Sequence, residues 1–253
     1  MRIVFLGSGN VATHLGLALS TSGQQITQVW SRSKANAEHL AEQLHAPAID
    51  DLSSLDRNAD LYLIAVKDDV IQDLVPFLQH LHGVVAHTSG ATAIDVLQGI
   101  ENKGVFYPLQ TFSKQKALDL SDTPMCLEAN STTAMQVLEA AATLISTTHY
   151  QVDSEQRKVL HLAAVFACNF SNHLYQLGHS LLQARGLDFE ILKPLIAETA
   201  RKIENAVPFD VQTGPAVRGD QETMVKHLRL LDDRPDLQEI YKTLSESIKK
   251  THL

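Results

Sequence analysis

The chain has 253 residues, with 21 Lys and Arg against 29 Asp and Glu, a formal net charge of −8, and 44% apolar residues. This composition is ordinary for a globular protein, and a chain of this length buries enough surface to be stable without disulfides or structural metals. The acidic balance argues against nucleic acid or an anionic membrane as a partner. No apolar run is long enough for a signal peptide or a membrane span, so we expect a cytoplasmic protein.

Short apolar runs alternate with helical patterns over the first half of the chain. Strands are predicted at residues 2–6, 26–30, 48–49, 61–66, 83–87, 105–107, 125–128 and 149–152. Helices are predicted at residues 10–21, 34–44 and 132–146. Apolar strands joined by helices are typical of a parallel sheet that is buried on both faces. We therefore predict an α/β domain with a doubly wound parallel sheet over residues 1–152.

The pattern after residue 152 is helical throughout. Asp153 and Gln156 have the spacing of a capping box that begins a long helix, which ends near Gly186. Further helices are predicted at 189–206, with a kink or restart at Pro194, and at 221–231 and 235–250. A Gly- and Pro-containing loop at 213–220 separates them. The second domain is therefore predicted to be all-helical, over residues 153–253.

The cysteines and histidines do not form a metal-binding pattern. Cys126 and Cys168 stand in apolar surroundings without CxxC spacing, which favours buried free thiols and a reducing compartment. The 12 histidines include no HExxH motif. We therefore expect neither a structural nor a catalytic metal ion.

A glycine-rich turn directly follows the first predicted strand. It has the pattern G-x-G-x-x-A and consists of Gly7, Ser8, Gly9, Asn10, Val11 and Ala12. Such glycines let the backbone approach a pyrophosphate, and the following helix N-terminus offers free N–H groups and partial positive charge. A glycine turn between strand and helix also has a purely structural interpretation. The strand before it, the helix after it and the second strand about 20 residues on favour a Rossmann-like dinucleotide site.

The residues after the second strand indicate which dinucleotide. An NAD site usually has Asp or Glu there, whereas this chain has Ser31, Arg32 and Ser33. Arg32 suits a 2′-phosphate, which its planar guanidinium can bind while the two hydroxyls donate. The alternative is that Arg32 is a solvated loop cation. We therefore predict NADP as the cofactor. Ala65, Val66 and Lys67, at the end of the fourth strand, are predicted to border its ribose.

These residues carry a resemblance to known families. The first half resembles pyrroline-5-carboxylate reductases and deazaflavin-dependent NADP oxidoreductases. The segments at 87–90, 107–112, 161–170 and 213–220 with His227 resemble a two-domain family, labelled as NADP oxidoreductases, whose helical domain has no known function. The second half is similar to the helical dimerisation domain of 6-phosphogluconate and β-hydroxyacid dehydrogenases. The resemblance implies a Rossmann-like domain, a helical domain of that type, and a homodimer formed through it.

Two departures from these families concern catalysis. Members of the two-domain family tend to have His where this chain has Tyr107. The β-hydroxyacid dehydrogenases carry Lys-x-x-x-Asn on the long helix, but the only lysine of this helix is Lys158. Their proton donor is therefore not carried over, and dehydrogenase activity is inferred from the cofactor site alone.

Several residues are candidates for contacting the substrate. His87 and Ser89 follow a strand and suit a general acid and a substrate hydrogen bond, although residues 88–90 also suit a helix cap. His161 and Asn169, about 80° apart on the long helix, face either a cleft between the domains or a dimer partner. Arg218 suits a substrate carboxylate, or else pairs with Asp220, which could cap the next helix.

Two functions follow from these expectations. The first is an NADP(H)-dependent oxidoreductase that acts on a small molecule in the cleft between the two domains. The second is a non-catalytic NADP-binding sensor or scaffold, which the missing lysine and Tyr107 favour.

Overall fold

The computed structural model describes residues 1–113 and 118–252. The chain divides into two compact units, Met1–Asn169 and Phe170–Leu253. Strands give way to helices at residue 152, where the change of pattern was predicted. The division between the two units lies later, so the first helix after residue 152 belongs to the first unit.

One sheet organises the first unit. Its strands are β1 (Arg2–Leu6), β2 (Gln25–Trp30), β3 (Ala48–Ile49), β4 (Leu61–Ile64), β5 (Val84–His87), β6 (Lys103–Pro108), β7 (Met125–Ala129) and β8 (His149–Gln151). They lie in the order β3-β2-β1-β4-β5-β6-β7-β8. The chain therefore winds outwards from β1 in both directions, which confirms the predicted doubly wound α/β fold.

One strand departs from the predicted parallel sheet. Neighbouring strands are parallel, but β7 runs antiparallel to β6, with Pro108 opposite Met125. A parallel strand needs a crossover connection, usually a helix. The described part of the connection between β6 and β7 contains no helix, which agrees with the antiparallel pairing.

Helices cover both faces of the sheet. They are α1 (Asn10–Thr21), α2 (Lys34–Gln43), α3 (Asp68–Leu78), α4 (Thr132–Thr143) and α5 (Ser154–Ala164). Side chains of β1 alternate between two apolar cores: Phe5 packs in the cluster that contains Leu15 of α1, and Leu6 in the cluster that contains Ile71 of α3. Because both faces of the central strands are buried, polar groups can reach solvent only at the strand ends.

The two cysteines differ in exposure. Cys126 of β7 is buried, as predicted, whereas Cys168 is exposed, so the prediction of a buried thiol is wrong there. Cys168 lies in a π-helical turn, Val165–Phe170, that follows α5 and whose Phe166 and Phe170 are exposed as well. Apolar neighbours in the sequence therefore did not indicate burial.

The second unit is helical. Its helices are α6 (Ser171–Gln183), α7 (Lys193–Lys202), α8 (Gln221–Leu230) and α9 (Pro235–His252). The predicted helix at 189–206 begins as a 3-10 turn, Phe189–Ile191, and restarts as α7 with Pro194 in its first turn, where a missing N–H is tolerated. No helix in the described ranges has the length and apolar character to cross a membrane.

Helix α5 is attached to the sheet through a buried charge. Asp153 and Gln156 form the predicted capping box at its N-terminus. One turn later Arg157, with no exposed surface, pairs with Glu128 of β7 and donates to the Thr92 carbonyl oxygen at 2.6 Å. The hydroxyl of Ser154 donates to the same carboxylate at 2.9 Å. The pair therefore fixes the start of α5 against β7.

We expect Glu128→Ala to lower the free energy of unfolding by about 3 kcal/mol, because it leaves the Arg157 guanidinium buried without its counter-ion. Glu155→Ala removes the exposed pair with Lys158 on the same helix and should cost at most about 0.5 kcal/mol. Urea unfolding of the two variants measures the difference. Equal, small losses would show that the buried pair does not hold α5.

Candidate functional site

Three neighbouring strands end at one edge of the sheet. In the register of the sheet, Leu6 of β1 pairs with Trp30 of β2 on one side and with Ile64 of β4 on the other. The order of the strands reverses between β1 and β4, and ligands of doubly wound sheets bind at such a switch point. The glycine turn, residues 31–33 and residues 65–67 therefore lie side by side, as predicted for a cofactor site.

Gly7 holds these three strand ends together. Its N–H donates to the Trp30 carbonyl oxygen at 2.8 Å, and its φ is +126°. A Cβ at this position would lie 2.1 Å from the carbonyl oxygen of Ala65. Both the backbone angle and the close approach require glycine, so Gly7 serves the fold whether or not a ligand is bound.

Gly9 has a different environment. It is the N-cap of α1, and a Cβ at Gly9 would meet no atom within 4 Å. The first turn of α1 has neither a side-chain cap nor an acidic residue, whereas Ala12 is buried against the sheet. Val11 is half-buried. The N-terminus of α1 therefore leaves space and N–H groups for an anion.

The segment after β6 approaches the same helix. Asn10 Nδ2 donates to the Phe112 carbonyl oxygen at 3.0 Å, and His14 Nε2 lies 2.9 Å from the Ser113 carbonyl oxygen. The rings of His14 and Phe112 are 5.5 Å apart. The motif at 107–112 therefore borders the glycine turn, which the sequence did not indicate. Ser8 is half-buried beside it.

The segment after β2 offers a cation. Ser31 is half-buried, and its N–H donates to the Ile49 carbonyl oxygen at 3.2 Å. Ser33 is the N-cap of α2 without a side-chain hydrogen bond to the helix. Arg32 is exposed, and in the part of the chain that the structure describes it forms no ion pair. Its guanidinium is therefore available to an anion.

The segment after β4 closes the site. Ala65 is buried, Val66 is half-buried, and Lys67 is exposed as the N-cap of α3. The Val66 side chain lies 3.2 Å from the position of a Cβ on Gly7. The predicted ribose-bordering residues therefore adjoin the glycine turn.

His87 does not suit the predicted general acid. Its side chain has no exposed surface, and its Nδ1 accepts from the Ser89 N–H at 3.2 Å. Burial, with a further contribution from the charge of Arg157, lowers the pKa of His87 to about 4. The imidazole is therefore neutral at pH 7 and removed from solvent.

The hydroxyl of Ser89 is used locally. It accepts from the N–H groups of Ala91 at 3.2 Å and Thr92 at 3.0 Å. The Ser89 hydroxyl therefore acts as a cap, which was the alternative interpretation of residues 88–90. The capped element is a turn, which precedes a 3-10 helix, Ile94–Leu97.

His161 and Tyr107 form a pair beside this turn. The Tyr107 hydroxyl and His161 Nδ1 are 3.1 Å apart, and the two rings meet edge to face. A Cβ on Gly90 would lie 2.6 Å from the same Nδ1. Gly90 thus lets the backbone after β5 contact the pair directly. Because Nδ1 is engaged, Nε2 is the ring nitrogen of His161 that remains for a substrate.

Tyr107 is protonated at neutral pH. Burial, with the nearby thiol of Cys126 adding to it, raises the pKa of Tyr107 to about 12, although the charge of Arg157 opposes the shift. The phenol therefore acts on His161 as a hydrogen-bonding group without charge.

The other predicted substrate residues are exposed. Asn169 lies in the π-helical turn, and Arg218 lies in the loop before α8. Asp220 caps α8 by accepting from the Thr223 N–H at 3.1 Å, as one alternative predicted. The charge of Arg218 contributes to a lowered pKa of Asp220, after the hydrogen bonds from Thr223, but the two form no ion pair in the described ranges.

Sequence reasoning missed Arg157 and Glu128, because isolated charged residues are usually solvated. The spacing of Arg157 and His161, four residues apart on one helix face, was the available signal. Among the described residues, no group of three or more His, Cys, Asp or Glu side chains could hold a metal ion.

Two domain families and a solved structure match most of the chain. The Rossmann-like domain family matches residues 1–112, and the domain of unknown function DUF2520 matches residues 123–248. A structure from Bacteroides fragilis, described as a "putative NADP oxidoreductase", is 42% identical with a TM-score of 0.93, and the match covers 98% of each chain. No curated protein matches the sequence.

More distant structures share the fold. An imine reductase from Myxococcus stipitatus in complex with NADP+ is 16% identical with a TM-score of 0.68, over 99% of this chain and 93% of that one. A 1-pyrroline-5-carboxylate reductase from Streptococcus pyogenes is 13% identical with a TM-score of 0.64, over 99% and 98%. Together with the fold and the Bacteroides structure, the domain matches show that the chain belongs to the two-domain family in which a Rossmann-like domain precedes DUF2520.

Proposed function

We propose that the chain is an oxidoreductase that binds NADP(H) at the ends of β1, β2 and β4 and transfers a hydride to or from a small molecule. The observation that carries the proposal is the open N-terminus of α1 behind Gly9, with the exposed Arg32 in the segment after the neighbouring strand β2. The 42% identical Bacteroides protein, described as a "putative NADP oxidoreductase", supports it.

The residues present fit the cofactor. The N–H groups at the start of α1 would hold the pyrophosphate, since Gly9 leaves the approach open and the helix dipole favours negative charge. Arg32 would bind the 2′-phosphate, and no carboxylate at residues 31–33 repels it. Ala65, Val66 and Lys67 would border the ribose.

When bound, the nicotinamide supplies or accepts the hydride. The protein must then exchange a proton with the oxygen or nitrogen of the substrate. His161 suits this task, because Tyr107 engages Nδ1 and so leaves Nε2 to release or take the proton. Tyr107 and Gly90 act as positioning residues, since both contact the imidazole and so restrict the orientation of its ring.

Other parts of the predicted site stay predictions. They are the substrate cleft between the domains and the roles of Asn169 and Arg218 in it. The sensor or scaffold function remains the second candidate, and the buried, neutral His87 favours it by removing one expected acid.

We expect Arg32→Ala to weaken NADPH binding by about 1.5–3 kcal/mol and to leave NADH binding nearly unchanged, because only NADPH carries the 2′-phosphate. Arg57→Ala is the matched control. Arg57 is also exposed, but it precedes the N-terminal end of β4, whereas the proposed site lies at the C-terminal end of that strand. Calorimetric titration measures both nucleotides. Equal affinity for NADPH and NADH in the unmodified protein would exclude NADP specificity.

The two glycines of the turn should respond differently to alanine. Gly9→Ala fits sterically and should leave the free energy of unfolding almost unchanged, but its methyl group should obstruct the pyrophosphate and weaken NADPH binding about 10-fold or more. Gly7→Ala meets Ala65 and should cost about 3 kcal/mol of stability. Urea unfolding and calorimetry separate the effects. Unimpaired nucleotide binding by the Gly9 variant would contradict the placement.

We expect His161→Gln to lower kcat at least about 100-fold without changing the affinity for NADPH, because the proton donor is lost while the cofactor site is intact. Tyr107→Phe should lower kcat less, because the imidazole remains but is less well oriented. NADPH oxidation with a panel of imines, 2-oxo acids and aldehydes provides the assay, and His149→Gln on the exposed β8 is the control. NADPH binding without turnover of any of these compounds would favour the sensor.

A further inference from the structure

The surroundings of the His161–Tyr107 pair contain a buried positive charge. Arg157 lies four residues before His161, on the same face of α5, and its side chain has no exposed surface. Its charge acts on side chains of three strands. After burial, it is a further cause of the lowered pKa of His87, and it opposes the larger effect of burial that raises the pKa values of Tyr107 and Cys126. A positive potential therefore extends across this part of the first unit.

Glu128 compensates this charge only in part. Its carboxylate pairs with Nη1 of Arg157 and accepts from the Ser154 hydroxyl at 2.9 Å. The charge of Glu128 contributes to none of the three pKa shifts to which Arg157 contributes. The Nε–H of Arg157 is buried and has no hydrogen-bond acceptor among the described residues. At the strand residues beside the pair, the net effect of the two charges is therefore that of a cation.

No carboxylate offsets the positive potential at the pair itself. The Tyr107 hydroxyl and His161 Nδ1 are hydrogen-bonded to each other, and within the described ranges neither forms an ion pair or a hydrogen bond with Asp or Glu. Tyr107 packs instead in an apolar cluster with Cys126, which Leu109 and Leu160 adjoin. Apolar surroundings screen charge less than water does. The potential of Arg157 therefore acts strongly on any charge that develops beside His161.

Reductions of carbonyl compounds and of imines differ in the charge that they create. When hydride adds to a carbonyl carbon, the C=O π bond breaks and negative charge develops on the oxygen until a proton reaches it, which gives an alcohol. An imine accepts hydride readily only after its nitrogen is protonated, so an iminium cation must form first, and the product is an amine. A positive potential stabilises the developing oxyanion and destabilises the iminium cation.

We propose that the substrate at His161 is a carbonyl compound, or the corresponding alcohol in the reverse direction, and that imines are excluded by the charge of Arg157. This inference rests on the proposed redox function and makes its substrate specific. The imidazolium of His161 gives its Nε2 proton to the substrate oxygen, while its Nδ1–H donates to the Tyr107 hydroxyl. One carbonyl compound, one NADPH and one proton thus become one alcohol and one NADP+. Arg157 acts through its charge and contacts no reacting atom.

The test compares carbonyl compounds with imines of the same ring size in the full-length protein. Cyclopentanone is paired with 1-pyrroline and cyclohexanone with 1-piperideine, and a set of aldehydes and 2-oxo acids extends the carbonyl compounds. Steady-state oxidation of NADPH gives kcat/KM for each compound. We expect kcat/KM to be at least about 100-fold higher for the ketone than for the imine of each pair, because only the ketone develops negative charge.

Two substitutions of Tyr107 test whether charge is the cause. Tyr107→Glu places a carboxylate beside His161 and should lower the ratio of ketone to imine kcat/KM at least about 10-fold. Tyr107→Gln has the same size without the charge, and it should change this ratio less than about 3-fold, although both variants are slower than the unmodified protein. A merely structural defect slows the two reactions alike and leaves their ratio unchanged.

The unmodified protein alone decides the substrate class if Tyr107→Glu fails to fold. A ratio near one, or one that favours the imines, overturns the proposal and leaves the redox function standing. An unchanged ratio in a folded Tyr107→Glu variant overturns it as well, because charge is then not the cause. NADPH binding by calorimetry without oxidation by any compound of either class rejects the redox function itself, and the substrate class with it.

Discussion

The first unit depends on a sheet that is buried on both faces, and this constraint decides where chemistry can occur. β1 sends Phe5 into one core and Leu6 into the other, so neither face of the strand can present a polar group. Polar groups can therefore be presented only at the edge of the sheet where the strands end. There Gly7 brings β1, β2 and β4 close enough that only hydrogen fits in place of its side chain. Two residues later, at Gly9, the same turn is open.

A second constraint is the buried guanidinium of Arg157. A charge with no exposed surface is tolerated only with a partner, and Glu128 together with the Thr92 carbonyl oxygen supplies it. Since Arg157 stands one turn before His161 on α5, the same interactions determine where His161 lies relative to Tyr107 and Gly90. The charge of Arg157 also helps to keep His87 neutral. The catalytic candidates are thus positioned by a residue that contacts none of the proposed ligands.

Predictions from the sequence were successful where a local pattern reflects a local cause. The apolar strands, the capping box at Asp153 and the glycine turn each follow from neighbouring residues. Contacts between distant segments were not predicted, because no periodicity records them. Examples are the pairing of Arg157 with Glu128 and the approach of Phe112 to Asn10. β7 runs antiparallel to β6, and an apolar strand pattern does not show the direction of a strand.

The net charge is divided unevenly between the two units. The first unit, at −7, would repel a polyanionic dinucleotide at long range, so the proposed binding would rest on short-range contacts such as those of the N-terminus of α1 and Arg32. The helical unit, residues 170–253, carries −1, so nearly all of the net negative charge belongs to the unit that contains the proposed cofactor site.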